Sequence, residues 1–122
     1  METEDCRVRE VLDKVGDKWS VSVIGVLGRE TRRFSEVKRA IPGISQRMLT
    51  VTLRALERDG LVTRTVYATV PPRVDYALTA LGLTLLDSAW PLMNWALDHV
   101  GEIDKARDAY DRQRPEVPPQ QP

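Results

Sequence analysis

The sequence predicts a mostly α chain with a small two-stranded β-wing, an α+β arrangement of the winged helix-turn-helix kind. Three observations carry this. Between Arg33 and Gly82 come, in order, a short helical segment, a Pro42-Gly43 turn, a second helical segment opened by Ser45, and two short β-branched segments. The segment opened by Ser45 has one leucine stripe, and its other positions are mainly polar and basic. Charge is concentrated in the same stretch: Arg29 to Arg73 holds ten basic and four acidic residues, a net +6, in a chain whose total charge is zero. A basic middle between acidic ends suits one face turned to phosphate and another turned away. A unit of this order places one helix in the DNA major groove and lays the hairpin beside it on the backbone.

The elements follow from local pattern. Val8, Val11, Leu12 and Val15 recur at the spacing of an amphipathic first helix, ended by Gly16. Asp17 is placed to cap a second helix, Lys18 to Leu27, with Trp19, Val23, Ile24 and Leu27 as its buried stripe and Gly28 at its end. Ser35 is the expected cap of a third, short helix that turns Val37 and Ile41 inward. Ser45 caps a fourth, Gln46 to Asp59, buried along Leu49, Leu53 and Leu56 and terminated by Gly60. Leu61 to Tyr67 and Val74 to Leu78 alternate as strands, and Pro71 and Pro72 stiffen the loop between them. On the second strand Val74, Tyr76 and Leu78 share one face, and Asp75 and Ala77 the other.

Thr79 caps a further helix, and Pro91 begins a new turn or kinks it. From Leu81 to Val100 apolar residues lie nearly all round, where a monomer's surface helix has one apolar side. A partner subunit is the simplest cover, and complete wrapping by the first helix is the alternative. The expected dimer contacts are Val8, Val11, Leu86, Trp90, Met93 and Leu97. Glu102 to Arg114 reads as a polar helix end, and Pro115 to Pro122, rich in Pro and Gln, as a disordered tail. The domain plan is one winged-helix domain over residues 1–114, with a DNA-binding core at about 17–78 and dimerisation helices at about 7–15 and 79–103.

Other classes find little support. No apolar run approaches the ~18 residues of a membrane span, and the acidic start, Met1 to Asp5, does not resemble a secretory signal. A single cysteine cannot form an internal disulfide, which fits a cytoplasmic setting. No nucleophile–base frame, Gly-rich phosphate loop or Cys/His cluster with metal-ligand spacing occurs, so neither an enzyme, a cofactor nor a metal is expected.

Candidate DNA contacts are Ser45, Gln46, Arg47, Thr50 and Arg54 on the fourth helix, with Arg64 and Arg73 on the hairpin. Gln46 and Arg47 lie in the first turn, where a docked helix meets base edges. Arginine pairs bidentately with guanine and glutamine with adenine. Arg58 reads instead as a salt-bridged surface residue, and Arg32, Arg33 and Lys38 are weaker candidates for the DNA backbone. Arg73, beside the prolines, is expected to neutralise phosphate at the wing tip. Trp19, Trp90 and Trp95 read as packing anchors, and His99 as a surface residue near a helix C-terminus. An effector pocket is expected between the first two helices and the C-terminal helices.

Several short stretches together resemble the HxlR-type transcriptional regulators, relatives of the MarR-type winged-helix dimers. They are Gly16-Asp17-Lys18-Trp19-Ser20, Arg33-Phe34-Ser35-Glu36-Val37, Ile41-Pro42-Gly43-Ile44-Ser45, Leu53-Arg54-Ala55-Leu56-Glu57 and Gly60-Leu61-Val62, followed by Tyr67, Pro71-Pro72-Arg73-Val74-Asp75-Tyr76 and Leu78-Thr79. The set runs from Cys6 to about Gly82. The resemblance implies a homodimeric repressor or activator on double-stranded DNA, with the helix from Gln46 in the major groove and the wing around Tyr67 to Arg73 on the flanking backbone or minor groove. Many members carry an N-terminal cysteine, usually followed by proline, that senses electrophiles or oxidants. Cys6 is the candidate redox sensor here, and Arg7 follows it. The competing expectation is a winged-helix protein–protein module without DNA binding, suggested by the zero net charge and acidic ends.

Overall fold

The computed structural model describes residues 2–113, with side chains from Asp5 onward. The expected disordered tail, 115–122, and the last residue of the expected domain, Arg114, lie outside the described residues. The elements are α1 (Glu2–Val15), α2 (Lys18–Leu27), β1 (Arg32–Arg33), α3 (Phe34–Ala40), α4 (Gln46–Arg58), β2 (Val62–Tyr67), β3 (Arg73–Leu78) and α5 (Ala80–Gln113). The chain divides into two compact units, Met1–Ala89 and Trp90–Pro122. The helix-turn-helix and the sheet lie wholly in the first.

The first unit forms around the stripes that the periodicity marks. Val23, Ile24 and Leu27 of α2, Val37 of α3, Leu49, Leu53 and Leu56 of α4, and Val62 and Tyr76 of the sheet are buried together. Ile41 and Ile44 bracket the Pro42-Gly43 turn and are buried in the same core. That pair fixes the angle at which α4 leaves α3, and Gly43 supplies the positive φ of 84° the turn requires. α4 ends in a hydrogen-bonded reversal: Leu61 N donates to Leu56 O at 2.9 Å and Gly60 N to Glu57 O at 3.0 Å. Gly60, at φ 78°, provides the left-handed residue this motif needs.

The fold class expected from sequence is the one observed, and the sheet adds a third strand. Its order is β1-β3-β2, all antiparallel. β1 is two residues long, Arg32 opposite Tyr76 and Arg33 opposite Asp75. The register separates two faces. Val62, Arg64, Val74, Tyr76 and Leu78 share one face, whereas Thr65, Tyr67, Arg73, Asp75 and Arg33 share the other.

Several local expectations change. The third helix begins at Phe34, with Arg33 at its cap and Ser35 inside it. Its first turn is satisfied in reverse, by Glu36, whose carboxylate accepts from Arg33 N at 2.8 Å. Asp17 occupies the cap position of α2 but makes no side-chain cap bond. Pro91 does not start a new helix, since α5 runs through it. Proline removes one backbone donor, and the turns on either side keep their own hydrogen bonds. His99 therefore sits within α5 rather than near its end, its ring stacked on Trp95 with centroids 4.9 Å apart and Nδ1 2.8 Å from Trp95 O.

Leu86 is the clearest correction among the expected dimer contacts. It is 8% exposed and belongs to the core of its own unit, so it cannot face a partner. An all-round apolar helix offers two candidate stripes, and Leu86 lies on the one the protomer itself covers. Val8 and Val11 of α1 are exposed, as are Trp90 and Leu97 of the second unit, while Met93 is half-buried. Thr79 joins the start of α5 to the end of α4: its Oγ1 donates to Gly60 O at 2.6 Å and accepts from Gly82 N at 3.0 Å. Only glycine fits at position 82, where a Cβ would lie 2.1 Å from Leu61 O.

Candidate nucleic-acid interface

α4 forms where the sequence places it because three local devices agree. Ser45 is extended, and its Oγ accepts from Met48 N at 3.0 Å, which satisfies one of the free donors of the first turn. Leu49, Leu53 and Leu56 bury one side, joined by Thr52, which the sequence reading left out. At 3.6 residues per turn, Gln46, Arg47, Thr50, Val51, Arg54 and Arg58 fall within an arc of about 140° on the opposite side. All of them are exposed except Thr50, which is half-buried.

The arginines of this arc are uncommitted. Among the described residues Arg47, Arg54, Arg58 and Arg64 have no ion pair and no side-chain hydrogen bond. The salt bridge expected for Arg58 is therefore absent from the described residues. Helix and hairpin meet at a cleft of about 230 Å³, lined by Thr50, Leu53, Arg54 and Glu57 of α4 with Arg64 and Tyr76 of the sheet. Three of the expected contacts, Thr50, Arg54 and Arg64, thus come together although they lie on different elements.

Arg73 lies beside the prolines as expected, but its guanidinium is already engaged. It is the first residue of β3, two positions beyond the cis Val70-Pro71 bond, and its guanidinium is held by its own strand. Nε donates to Asp75 Oδ1 at 3.0 Å and Nη2 to Asp75 Oδ2 at 2.9 Å. Its Cζ lies 5.1 Å from the centre of the Tyr67 ring, within cation–π range. Asp75 is only 4% exposed, although it lies on the sheet face opposite Val74, Tyr76 and Leu78. The hydrogen-bonded Arg73 guanidinium holds the Asp75 carboxyl below its ordinary range against the opposing effect of desolvation, and Arg33 adds to the same direction. Asp75 in turn raises Arg73. An i, i+2 Arg–Asp pair on a strand puts both side chains on one face, and that spacing was the signal available in the sequence.

The weaker candidates separate. Arg32 is engaged internally, Nε donating to Val26 O at 2.8 Å and Nη2 lying 3.3 Å from Glu30. Arg33 and Lys38 are exposed. At the N-terminus Cys6 is an exposed free thiol, and its neighbour Arg7 pairs with Glu10. An apolar-floored cleft of about 480 Å³ lies between α1 and the first turns of α5, lined by Val11, Val15, Leu61, Leu81 and Leu85 among others. α2, expected to contribute to such a pocket, does not line it. Among the described residues no group of His, Cys, Asp and Glu could hold a metal ion.

An exposed basic helix seated on a leucine stripe, with a basic hairpin at its side, defines a winged helix-turn-helix regulator that binds DNA. The chain belongs to the HxlR-like helix-turn-helix family, whose model matches residues 14–104. It is 40% identical over 105 residues to YtfH of Escherichia coli (strain K12), named an uncharacterized HTH-type transcriptional regulator, with 86% of this chain and 83% of the relative covered. It is 42% identical over 112 residues to YdeP of Bacillus subtilis (strain 168), which bears the same description, with 89% and 88% covered. Among solved structures, the redox regulator HypR in its reduced form superposes with a TM-score of 0.74 at 38% identity, over 81% of this chain and 98% of that one. The reduced form of the transcriptional regulator YodB from B. subtilis gives a TM-score of 0.63 at 33% identity, over 76% and 90%.

Proposed function

We infer that the protein acts as a homodimeric, sequence-specific repressor or activator on a near-palindromic operator in double-stranded DNA. The observation that carries the reading is the uncommitted face of α4, with Gln46, Arg47 and Arg54 free to meet a ligand while the leucines behind them hold the helix to the core. Gln46 and Arg47 contact base edges in the major groove, with Thr50 and Arg54 on bases or adjacent phosphates. Ser45 caps the helix and has an N-terminal position from which a phosphate is within reach. Arg64 and Arg73 serve the flanking backbone.

The dimer rests on uncovered apolar side chains. Val8 and Val11 on α1, and Trp90, Trp95 and Leu97 in the second unit, are each about half exposed or more. Two copies would set two α4 helices about 34–36 Å apart, one turn of B-DNA. The domain plan, one winged-helix domain to residue 114 flanked by dimerisation helices, belongs to this reading, as does a cytoplasmic location. No helix among the described residues is long and apolar enough to cross a membrane.

Regulation by a small molecule or by thiol oxidation is the finer part of the proposal. The cleft beside α1 offers an apolar floor for an effector. Cys6 is exposed, and HypR, a redox regulator, is among the similar structures. Two Cys6 thiols from two subunits would give up two protons and two electrons to an oxidant and form one disulfide. Fragments of the host genome retained by the protein should share a sequence with two-fold symmetry and lose affinity steeply with salt. Bound fragments with no common sequence would contradict an operator-specific regulator. A Cys6→Ser protein whose operator affinity responds to a mild oxidant as the wild type does would remove the thiol from the mechanism.

A further inference from the structure

The outer face of the sheet carries a second cationic site, separate from α4. β1 brings Arg33 opposite Asp75, and Arg73 stands two residues from Asp75 on the same face. Arg33, Arg39 and Arg73, with Thr31 and Ser35, line an open cleft of about 560 Å³. Its two carboxylates are already engaged. Asp75 holds Arg73 through both oxygens, and Glu36 accepts from Arg33 N. The Arg39 guanidinium has no hydrogen bond or ion pair among the described residues, and Arg33 has only the longer-range attraction of Asp75. Three guanidinium groups against two carboxylates leave one positive charge, matched to a monoanion. Nε and Nη2 of Arg73 are fixed on Asp75, so Nη1 keeps its donors and its direction is set before any ligand arrives.

We propose that this cleft clamps one phosphodiester of the DNA backbone, gripped by Arg33 and Arg39, and that buried Asp75 is a positioning residue that aims Arg73 at the same strand. The inference rests on the DNA-binding reading and adds to it a contact that no residue of α4 makes. A phosphodiester suits the site because the donors are guanidinium and hydroxyl groups around an open rim, with no apolar floor or stacking surface to hold a base or a free nucleotide. Asp75 sits in the sheet where it lowers the local positive charge, yet it adds direction: a forked carboxylate fixes the guanidinium plane, and Tyr67 covers one face of that plane.

The test uses the full chain and a genomic fragment that the wild type retains, titrated by fluorescence anisotropy from low to moderate salt, beside an unrelated duplex. Arg33→Gln/Arg39→Gln should weaken binding to both duplexes by the same factor, roughly three- to tenfold, and reduce the log–log salt slope by about one. The sequence preference should stay as it was. Asp75→Asn should also weaken binding, although it removes a negative charge near DNA, and Asp75→Glu should recover part of the loss. Wild-type affinity and slope in the arginine double variant would overturn the clamp. Equal or tighter binding by Asp75→Asn would overturn the positioning role. Arg39 is exposed and without an ion pair among the described residues, so Arg39→Gln alone is a variant whose fold is not at risk, and its binding should fall in the same direction. Retention of no fragment by the wild type would instead overturn the DNA-binding reading, and this inference with it.

Discussion

α4 and the wing hold their cationic side chains by opposite means. α4 is held from behind by Leu49, Leu53 and Leu56, all at most 2% exposed, and among the described residues its arginines have no partners. The far half of the hairpin has no such backing. Val66, Tyr67 and Val70 are exposed, and the segment is held instead by polar bonds such as Thr69 Oγ1 to Pro71 O at 2.7 Å and the Arg73–Asp75 fork. An apolar anchor leaves side chains free to choose a base edge. A polar anchor uses part of the functional side chain and fixes its direction. The difference fits base readout by α4 and uniform backbone contact by the wing.

The sharpest way to break this comparison is to remove the anchor of α4. Leu53→Ala leaves a cavity in a closed core, and such truncations cost about 2–5 kcal/mol. Thermal or urea unfolding should show the loss, with operator affinity falling as the folded population falls. A loss well under 1 kcal/mol would mean that α4 is not held by its leucines. Next in size come the two arginines themselves. Arg47→Ala should reduce discrimination between the operator and altered sites by about 1–3 kcal/mol, whereas Arg73→Ala should weaken all duplexes alike. Competition titrations against single-base variants separate the two, and the reverse pattern would exchange the roles of helix and wing.

Much of this contrast was legible in the residues. The leucine stripe, the Ser45 cap and the Gly60 terminator each follow from periodicity or backbone rules, and each is found where expected. The wing strands and their pairing as a hairpin were legible from alternation and the short loop, but the third strand was not. β1 is two residues long, too short for any pattern, and without it the pairing of Arg33 with Asp75 cannot be seen. Burial of Asp75 depends on neighbours from another strand, which charge counting along the chain cannot reveal. Leu86 shows the same limit in a helix: once every side is apolar, periodicity no longer says which side the protomer covers. The polar stretch read as a helix end, Glu102 to Arg114, is helical through Gln113, the last described residue.

A smaller effect is expected from the cap. Ser45→Ala removes the acceptor of Met48 N and should cost about 1 kcal/mol of stability. If Ser45 also touches phosphate, operator affinity of the folded variant falls beyond what lost stability explains. Titration at a temperature where both proteins are fully folded isolates that part, and equal affinities there would confine Ser45 to capping.

The smallest effect concerns the polar anchor of the wing, and its sign follows from linkage. The Arg73 hydrogen bonds hold the folded-state Asp75 carboxyl below its ordinary value, which is about 3.9 for a free aspartate. The unfolded chain therefore binds a proton at a higher pH than the folded one. The contribution of the pair is fully present above that ordinary value and declines as pH falls through the lowered one. Because Arg73 is nearly half exposed, solvent screens the pair and the change is modest. Asp75→Asn has no proton to take up at this site. The difference in melting temperature between wild type and Asp75→Asn should hold steady from neutral pH down to about 5, then shrink toward pH 2. A difference that stays constant across that range would show that the carboxylate charge adds nothing to the wing, and that Asp75 is held there by shape and neutral hydrogen bonds alone.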